Sequence, residues 1–222
     1  MGTRALIAEA AGTFALVFAL CGTLLLAPAG VASLAGALAA GGIVAAMTAA
    51  FSPISGAHLN PAATLGLIAA GRLDSSRAPL LILAQCIGAL AAAGLLAVVV
   101  AGVAAPPKGG LAAVANGYGG RFGLTSVFVI EAFATAVFVL VVVGMGGRRA
   151  PATLAPLAIG LATVSLYLVA IPVSGGGLNP ARSLAIAAFA GTEAILQLWV
   201  FWVAPILGAV LGGVIGRLLT DD

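Results

Sequence analysis

The sequence has very few charged residues. Only 7% of its 222 residues are Asp, Glu, Lys or Arg, whereas 63% are hydrophobic. A water-soluble domain of this size could not cover its surface with so few ionisable groups. The nine Lys and Arg residues are scattered along the chain without forming a basic cluster, which argues against nucleic-acid binding. The composition therefore indicates a helical protein that crosses a membrane several times.

Cysteine and histidine are equally scarce. Cys21 and Cys86 lie far apart within apolar stretches, which favours buried small hydrophobic side chains over a disulfide or a zinc site. His58 is the only histidine, and no carboxylate or nucleophile lies at a useful spacing from it. The sequence contains neither His-Glu-x-x-His nor Gly-x-Ser-x-Gly, two patterns typical of hydrolases. We therefore expect no metal site, no cofactor and no enzymatic activity.

Long apolar runs are abundant instead. Gly, Pro and charged residues divide them into six, near residues 4–27, 33–53, 77–101, 124–145, 152–172 and 195–219. Each run provides the roughly 20 residues that a transmembrane helix needs. Two shorter apolar segments, 61–70 and 180–190, reach only about half of the hydrocarbon thickness. The pattern predicts an all-α membrane protein with six transmembrane helices plus two re-entrant half-helices that enter from opposite faces.

A short phrase introduces each of the two half-helices. Residues 53–65 read PISGAHLNPAATL and residues 172–184 read PVSGGGLNPARSL, with eight of thirteen positions identical. Two further pairs lie at nearly the same offset, namely Glu9 with Glu131 and residues 84–94 with 204–214. Three matched regions indicate an internal repeat. Matched broken segments in the two halves of a membrane protein point to a substrate path near the middle of the bilayer.

The asparagines of this phrase carry a specific chemistry. An Asn before Pro is a strong helix start, because the Asn side chain caps free N–H groups and Pro needs no partner of its own. Each asparagine would present its amide to the path, with two positive helix ends facing each other. Preceding residues would be extended and expose their carbonyls. The alternative is that each Asn-Pro is an ordinary turn between helices. The predicted path residues are Asn60, Pro61, Ala62, Asn179, Pro180 and Ala181, with Gly56, Ala57, His58, Gly175 and Gly177 as further pore lining.

Three ionisable residues lie inside apolar segments. Arg182 follows the second Asn-Pro-Ala, where it would repel cations and donate hydrogen bonds to solutes, unless it extends to the outer interface. Glu9 and Glu131 could relay protons in a pump. Their matched positions favour a scaffold role, in which each accepts hydrogen bonds from the loop of its own repeat.

The distribution of basic residues favours one orientation. With the N-terminus in the cytoplasm, the outer side carries Lys108 and Arg121, whereas the inner side carries Arg4, Arg72, Arg77, Arg148, Arg149 and Arg217. This agrees with the positive-inside rule. We expect a multi-pass protein of the inner (plasma) membrane with both termini in the cytoplasm. A single channel domain would cover 1–222, with inverted repeats near 1–101 and 124–219 joined by an outer loop over 102–123.

The sequence resembles the aquaporins, the major intrinsic protein family, over essentially its whole length. The resemblance rests on SGAHLNPAATLG, GLNPARSLA, AIGLATVSLYLVAIPVSGG and QLWVFWVAPILGAVLGG, together with the glutamate of each repeat. It implies a homotetramer in the lipid membrane with one pore per subunit. It also implies passive conduction of water or small uncharged solutes, while protons and ions are excluded.

The family's aromatic/arginine filter can be placed by counting from the two motifs. The resemblance assigns it to Ala40, Tyr167, Gly176 and Arg182. Water-selective members usually carry Phe and His where this chain has Ala40 and Tyr167, so we expect a wider and less polar constriction. Glycerol, urea and metalloid acids such as boric acid are then candidate solutes, although Ser183 replaces the Asp typical of glycerol-conducting members. A strictly water-selective channel and a secondary transporter with inverted repeats remain the alternatives.

Overall fold

The computed structural model describes residues 2–104 and 106–220. The predicted domain also includes Met1, Ala105, Asp221 and Asp222, which lie outside the described residues. All regular structure in the described part is helical. Its α-helices are α1 (Thr3–Leu26), α2 (Ala32–Ser55), α3 (Pro61–Ala69), α4 (Ala78–Ala101), α5 (Leu124–Met145), α6 (Ala155–Ser174), α7 (Pro180–Ala190), α8 (Thr192–Gln197) and α9 (Val200–Thr220).

The predicted fold class is confirmed. Helices α1, α2, α4, α5 and α6, together with the stretch Thr192–Thr220, are long and apolar enough to cross a membrane. Helices α3 and α7 are the two half-helices, with nine and eleven residues. The outer surface of the bundle carries large apolar side chains such as Val98 and Leu161, whereas the polar side chains of Glu9, Glu131 and Arg182 are fully buried. This distribution is the one expected for a helical protein surrounded by lipid.

The structure corrects two details of the expectation. The last apolar run, expected as one helix over 195–219, is divided into α8 and α9. At the junction, the N–H of Phe201 bonds to the carbonyl of Leu198, and this three-residue spacing makes a tighter turn than an α-helix. Cys21 is buried as expected, but Cys86 is only partly buried.

The packing of the helices repeats itself between the two halves of the chain. Helix α1 packs against α2 and α4, and correspondingly α5 packs against α6 and α9. Half-helix α3 packs mainly against α9, and α7 packs mainly against α4. Each half-helix therefore rests on a helix of the other repeat, and α2 packs against α6 across the two repeats.

Glycines allow the closest of these approaches. A Cβ atom at Gly88 would overlap the backbone carbonyl of Ala10, and a Cβ atom at Gly208 would overlap that of Ala132. The two contacts are equivalent, because they join α4 to α1 and α9 to α5. Small residues commonly serve in membrane helices to bring two backbones together.

Two faces of the bundle can be distinguished by their contacts. At one end, the Arg72 guanidinium donates to the carbonyl of Gly146 and to the hydroxyl of Thr220, at 3.4 and 3.0 Å. We call this end, formed by residues 71–77, 146–151 and the end of α9, the basic face. At the opposite face, the loop before α5 meets the end of α6, where the N–H of Gly117 donates to the carbonyl of Ser174 at 3.3 Å.

Replacing Gly208 by Ala should destabilise the bundle, because the added methyl group would collide with backbone that cannot rotate away. Overpacking of this kind costs about 1–3 kcal/mol. Thermal unfolding of the purified protein in detergent measures the effect. Gly144→Ala is the matched control, since a Cβ atom at Gly144 would meet nothing within 4 Å. Equal unfolding temperatures for the two variants would contradict the proposed close contact of α5 and α9.

Candidate pore

The two half-helices begin with the same capping arrangement. The side-chain oxygen of Asn60 accepts from the N–H groups of Ala62 and Ala63, at 2.8 and 3.4 Å. The side-chain oxygen of Asn179 accepts from those of Ala181 and Arg182, at 3.0 and 3.4 Å. In each case proline occupies the first helical position, where its missing N–H costs nothing.

The two asparagines also connect the half-helices to each other. The Asn60 amide donates to the carbonyl of Leu178 at 2.9 Å, and the Asn179 amide donates to the carbonyl of Leu59 at 2.8 Å. The helices therefore meet N-terminus to N-terminus inside the bundle. A side-chain amide has two N–H donors, so each asparagine keeps one for another partner. Both asparagines line the same internal cavity.

Glu9 holds the loop in front of α3. One of its oxygens accepts from the Ser55 hydroxyl at 2.6 Å and from the His58 N–H at 2.9 Å. The other accepts from the Leu59 N–H and from the Gln85 amide, both at 2.7 Å. The carboxylate is fully buried, and its four bonds satisfy donors that would otherwise be unpaired in an apolar interior.

Glu131 has the same relation to the loop in front of α7. One oxygen accepts from the Ser174 hydroxyl at 2.5 Å and from the Gly177 N–H at 2.8 Å, and the other accepts from the Leu178 N–H at 2.6 Å. A Cβ atom at Gly177 would lie 2.5 Å from a Glu131 oxygen. The loop and the carboxylate are therefore packed as closely as glycine permits.

The expectation that both loops are extended is wrong. Several of their residues have positive φ angles, namely Gly56, Ala57 and Leu59 in the first loop and Gly175, Gly176 and Leu178 in the second. The cause is the glutamate in each repeat. Because one carboxylate collects the N–H groups of two successive residues, the backbone must turn those donors to the same side, which an extended strand cannot do.

An internal cavity of about 50 Å³ adjoins the first loop. The sequence-predicted residues that line it are Gly56, Ala57, His58, Asn60, Tyr167 and Asn179. Gly56 is exposed and His58 is partly buried, whereas Gly176 and Gly177 are buried. The cavity is therefore more accessible on the side of the first loop, which follows the end of α2 that points to the basic face.

Most of the cavity wall was not predicted. The lining residues that the sequence did not predict are Leu16, Val44, Thr48, Leu59, Ala63, Phe138, Val142, Ile159, Thr163 and Leu178. The spacing along α2 and α6 could have identified four of them. Val44 and Thr48 follow Ala40 at intervals of four residues, and Ile159 and Thr163 precede Tyr167 at the same interval. Residues four apart share a helix face, so the helical spacing extends from the two filter positions along the wall.

Arg182 does not extend to the interface. Its side chain is fully buried, and its guanidinium donates to the Asn116 side chain and to the carbonyls of Val114 and Gly175, the last two at 2.9 and 3.0 Å. Asn116 in turn donates to the carbonyl of Ser174 at 3.1 Å and accepts from the Ser183 hydroxyl at 2.8 Å. Sequence reasoning missed Asn116, since an asparagine in a glycine-rich loop reads as a turn residue.

The remaining filter positions lie close to the second loop. The Tyr167 hydroxyl donates to the carbonyl of Gly177 at 3.3 Å, and a Cβ atom at Gly176 would lie 2.8 Å from the Tyr167 ring. Ala40 is fully buried. Tyr167 lines the cavity, whereas Ala40, Gly176 and Arg182 lie outside its lining. The cavity therefore ends at the level of Tyr167.

Replacing Glu131 by Gln should destabilise the second loop. Glutamine keeps one acceptor oxygen but turns an NH₂ group toward donors that need an acceptor. Hydrogen bonds to charged groups contribute about 1.5–3 kcal/mol, so the unfolding temperature in detergent should fall clearly. Glu193→Gln is the control, because Glu193 is exposed and receives one long bond of 3.4 Å from Gln197. If the two variants unfold at the same temperature, Glu131 does not hold the loop.

Known proteins resemble this chain in sequence and in fold. The family model described as "Major intrinsic protein" matches residues 1–215. The protein of Rhodopseudomonas palustris named Aquaporin Z is 46% identical over 232 residues, which cover 100% of this chain and 95% of that protein. Aquaporin Z of Brucella melitensis biotype 1 is 45% identical over 218 residues, or 95% of each chain. The X-ray structure of the aquaglyceroporin from Plasmodium falciparum has a TM-score of 0.83 at 22% identity and covers 99% of this chain and 95% of that one, which shows the fold. The chain therefore belongs to the major intrinsic protein family.

Proposed function

We propose that the protein passively conducts water and small neutral solutes, with glycerol, urea and metalloid acids as candidates. The path runs through the cavity and past the meeting point of the two half-helices. One observation carries the proposal, namely the reciprocal bonds between Asn60 and Asn179 and the opposite loops. They leave two amide N–H donors beside a cavity. The protein is a channel and not an enzyme.

The geometry supports the exclusion of protons and cations. The N-terminal ends of α3 and α7 face each other at the asparagines, and each helix end carries a partial positive charge. A solute oxygen at this point accepts from the asparagine amides, so it does not accept from the next solute molecule in the file. Neutral solutes satisfy these donors, whereas a cation meets repulsion from both helix ends.

Arg182 is proposed as the charged member of the filter, together with Ala40, Tyr167 and Gly176. Its guanidinium is held by Asn116 and by two backbone carbonyls. Its Nε–H is buried and has no partner among the residues that the structure describes. Ala40 and Gly176 contribute little volume, and Tyr167 supplies the bulk.

The same contacts weigh against a proton- or ion-coupled transporter. Proton relays in transporters commonly use carboxylates that reach the path. Glu9 and Glu131 are fully buried, and their oxygens are occupied by bonds to the loops and to neighbouring side chains. Strict water selectivity remains the second candidate, because the Tyr167 ring is bulky and lies against Gly176.

Charge and family membership support the following membrane context. The inverted repeats form one channel domain in the inner (plasma) membrane, with the basic face and both termini in the cytoplasm. Arg72 and Arg149 lie at this face, which agrees with the positive-inside rule. Family membership supports a homotetramer in which membrane lipids cover the remaining apolar surface.

Liposomes that contain the purified protein should be more permeable to water and to at least one larger neutral solute than protein-free liposomes. Small filter residues leave room for such a solute beside Tyr167. Stopped-flow light scattering with water, glycerol, urea and boric acid measures this. We expect a low activation energy and no saturation. Saturation with dependence on an ion gradient would support the transporter, and conduction of water alone would support strict water selectivity.

Arg182→Ala should admit protons or cations, because it removes a buried positive charge beside the path. Asn116→Ala should have a smaller effect in the same direction, since it frees one side of the guanidinium. A barrier lowered by about 1.4 kcal/mol corresponds to a tenfold increase in leak, and we expect at least this for Arg182→Ala. A pH-sensitive dye inside the liposomes reports the leak. Arg121→Ala, which changes an exposed arginine, is the control, and leaks equal to it would remove Arg182 from the filter.

A further inference from the structure

A short piece of loop holds the Arg182 guanidinium on the side opposite the basic face. Within residues 114–118, the Val114 carbonyl accepts from the guanidinium at 2.9 Å, and the side-chain oxygen of Asn116 accepts from it as well. These bonds come from a segment that lies far from Arg182 along the chain. The direction of the guanidinium therefore depends on where this segment, which we call segment 114–118, is placed.

Packing on all sides does not fix segment 114–118. A cavity of about 390 Å³ lies beside it, with a lining that includes Asn116, Tyr118, Ser174, Gly175, Glu193 and Gln197. The residues that follow the segment, 119–121, are exposed. Since the segment has open space on one side and an exposed turn after it, its position depends mainly on its hydrogen bonds.

Gln197 of α8 holds the far end of segment 114–118. Its side-chain oxygen accepts from the Tyr118 N–H at 2.7 Å, and its NH₂ group donates to the Tyr118 carbonyl at 3.1 Å. One amide thus satisfies both the donor and the acceptor of a single backbone residue. A Cβ atom at Gly117 would lie 3.1 Å from the same Gln197 oxygen. The side chain of Gln197 is therefore in close contact with the backbone next to Asn116.

The helices connect Gln197 to Arg182 by a second route. Arg182 lies in the first turn of α7, and α8 follows α7 and packs against it. Segment 114–118 is consequently attached to this pair of helices at two points, to α7 through Asn116 and to α8 through Tyr118. Two attachments fix the orientation of a segment, whereas one attachment leaves it free to pivot.

We propose that Gln197 is a positioning residue, which acts through Tyr118 and Asn116 on the Arg182 guanidinium and thereby on the exclusion of protons. The inference rests on the proposed channel function and deepens it by naming a residue that controls the filter from outside. Gln197 lies outside the lining of the pore cavity, so its effect on conduction is indirect. Its remaining bond, to Glu193, is long at 3.4 Å and plays no part in the proposal.

The first test replaces Gln197 by Met, which keeps an unbranched side chain and removes both bonds to Tyr118. Residues along a coupled network typically shift the coupling enough to raise the proton leak of liposomes about threefold, and we expect such a rise. The rise should be smaller than that of Asn116→Ala, which removes a direct contact with Arg182. A pH-sensitive dye inside the liposomes measures the leak. Leu196→Ala is the matched control on α8, because the side chain of Leu196 is 71% exposed.

A double variant separates positioning from a merely structural role. In an Arg182→Ala background, Gln197→Met should add no further leak, because the guanidinium that it positions is gone. A general weakening of the bundle would instead raise the leak by the same factor in both backgrounds. Hydrogen–deuterium exchange provides an independent readout, and the peptide that contains segment 114–118 should exchange faster in Gln197→Met.

Gln197→Glu is the second variant. It keeps an acceptor for the Tyr118 N–H but turns an oxygen toward the Tyr118 carbonyl, so it should also leak more than Leu196→Ala. Both Gln197 variants should keep the water permeability of the unchanged protein, since they alter no residue of the pore cavity. The inference is overturned by leaks equal to that of Leu196→Ala, by equal factors in the two backgrounds, or by unchanged exchange of segment 114–118.

The same experiments distinguish this inference from the proposed function. An unchanged protein that conducts no water would refute the channel, and the role of Gln197 with it. An Arg182→Ala variant without a leak would remove Arg182 from the filter and leave Gln197 nothing to position. A leaking Arg182→Ala beside a tight Gln197→Met would refute only the role of Gln197.

Discussion

The architecture depends on how irregular backbone is satisfied in the middle of an apolar bundle. Two loops end there, and lipid offers no partner for their N–H and carbonyl groups. Glu9 and Glu131 accept the N–H groups, and Asn60 and Asn179 donate to the carbonyls of the residues that precede the opposite asparagine. Each loop therefore needs the other repeat as well as its own, and neither half can complete this arrangement alone.

The exchange of half-helices between repeats follows from the same requirement. Because α3 rests on α9 and α7 rests on α4, the tips of the half-helices are fixed from both sides of the bundle. Gly66 shows how close this packing is, since a Cβ atom there would lie 2.7 Å from the carbonyl of Ala209. Because the backbones touch directly at these glycines, the half-helices have little room to move, and their tips stay in place. The geometry at the asparagines is in this sense set by the glycines some distance away.

The two halves share a frame but differ in chemistry. In the first half, the Gln85 amide donates to both Glu9 and Thr64, at 2.7 and 3.0 Å. The Nδ1 atom of His58 lies 3.2 Å from the Thr64 hydroxyl oxygen. Proline occupies the position equivalent to Gln85 in the second half, and glycine replaces His58. There the polar contacts gather around Arg182 and Asn116 instead. The repeat thus builds one path with two dissimilar ends, an open one at the first loop and a constricted one at Tyr167.

Much of this protein can be worked out from sequence, because the relevant signals are local and repeated. Apolar run lengths determine the six spans, and the two Asn-Pro-Ala phrases determine where the half-helices begin, since capping and bilayer thickness act on neighbouring residues. Contacts between distant residues were decided by the tertiary structure. Positive φ angles at Ala57 and Leu178 arise because a carboxylate from another helix gathers successive N–H groups, and Asn116 reaches Arg182 across 66 residues. The matched positions of Glu9 and Glu131 predict a contact with the loops, but no pattern along the chain gives the loop φ angles or the contact of Asn116 with Arg182, because it is the packing of the helices that brings these groups within hydrogen-bonding distance.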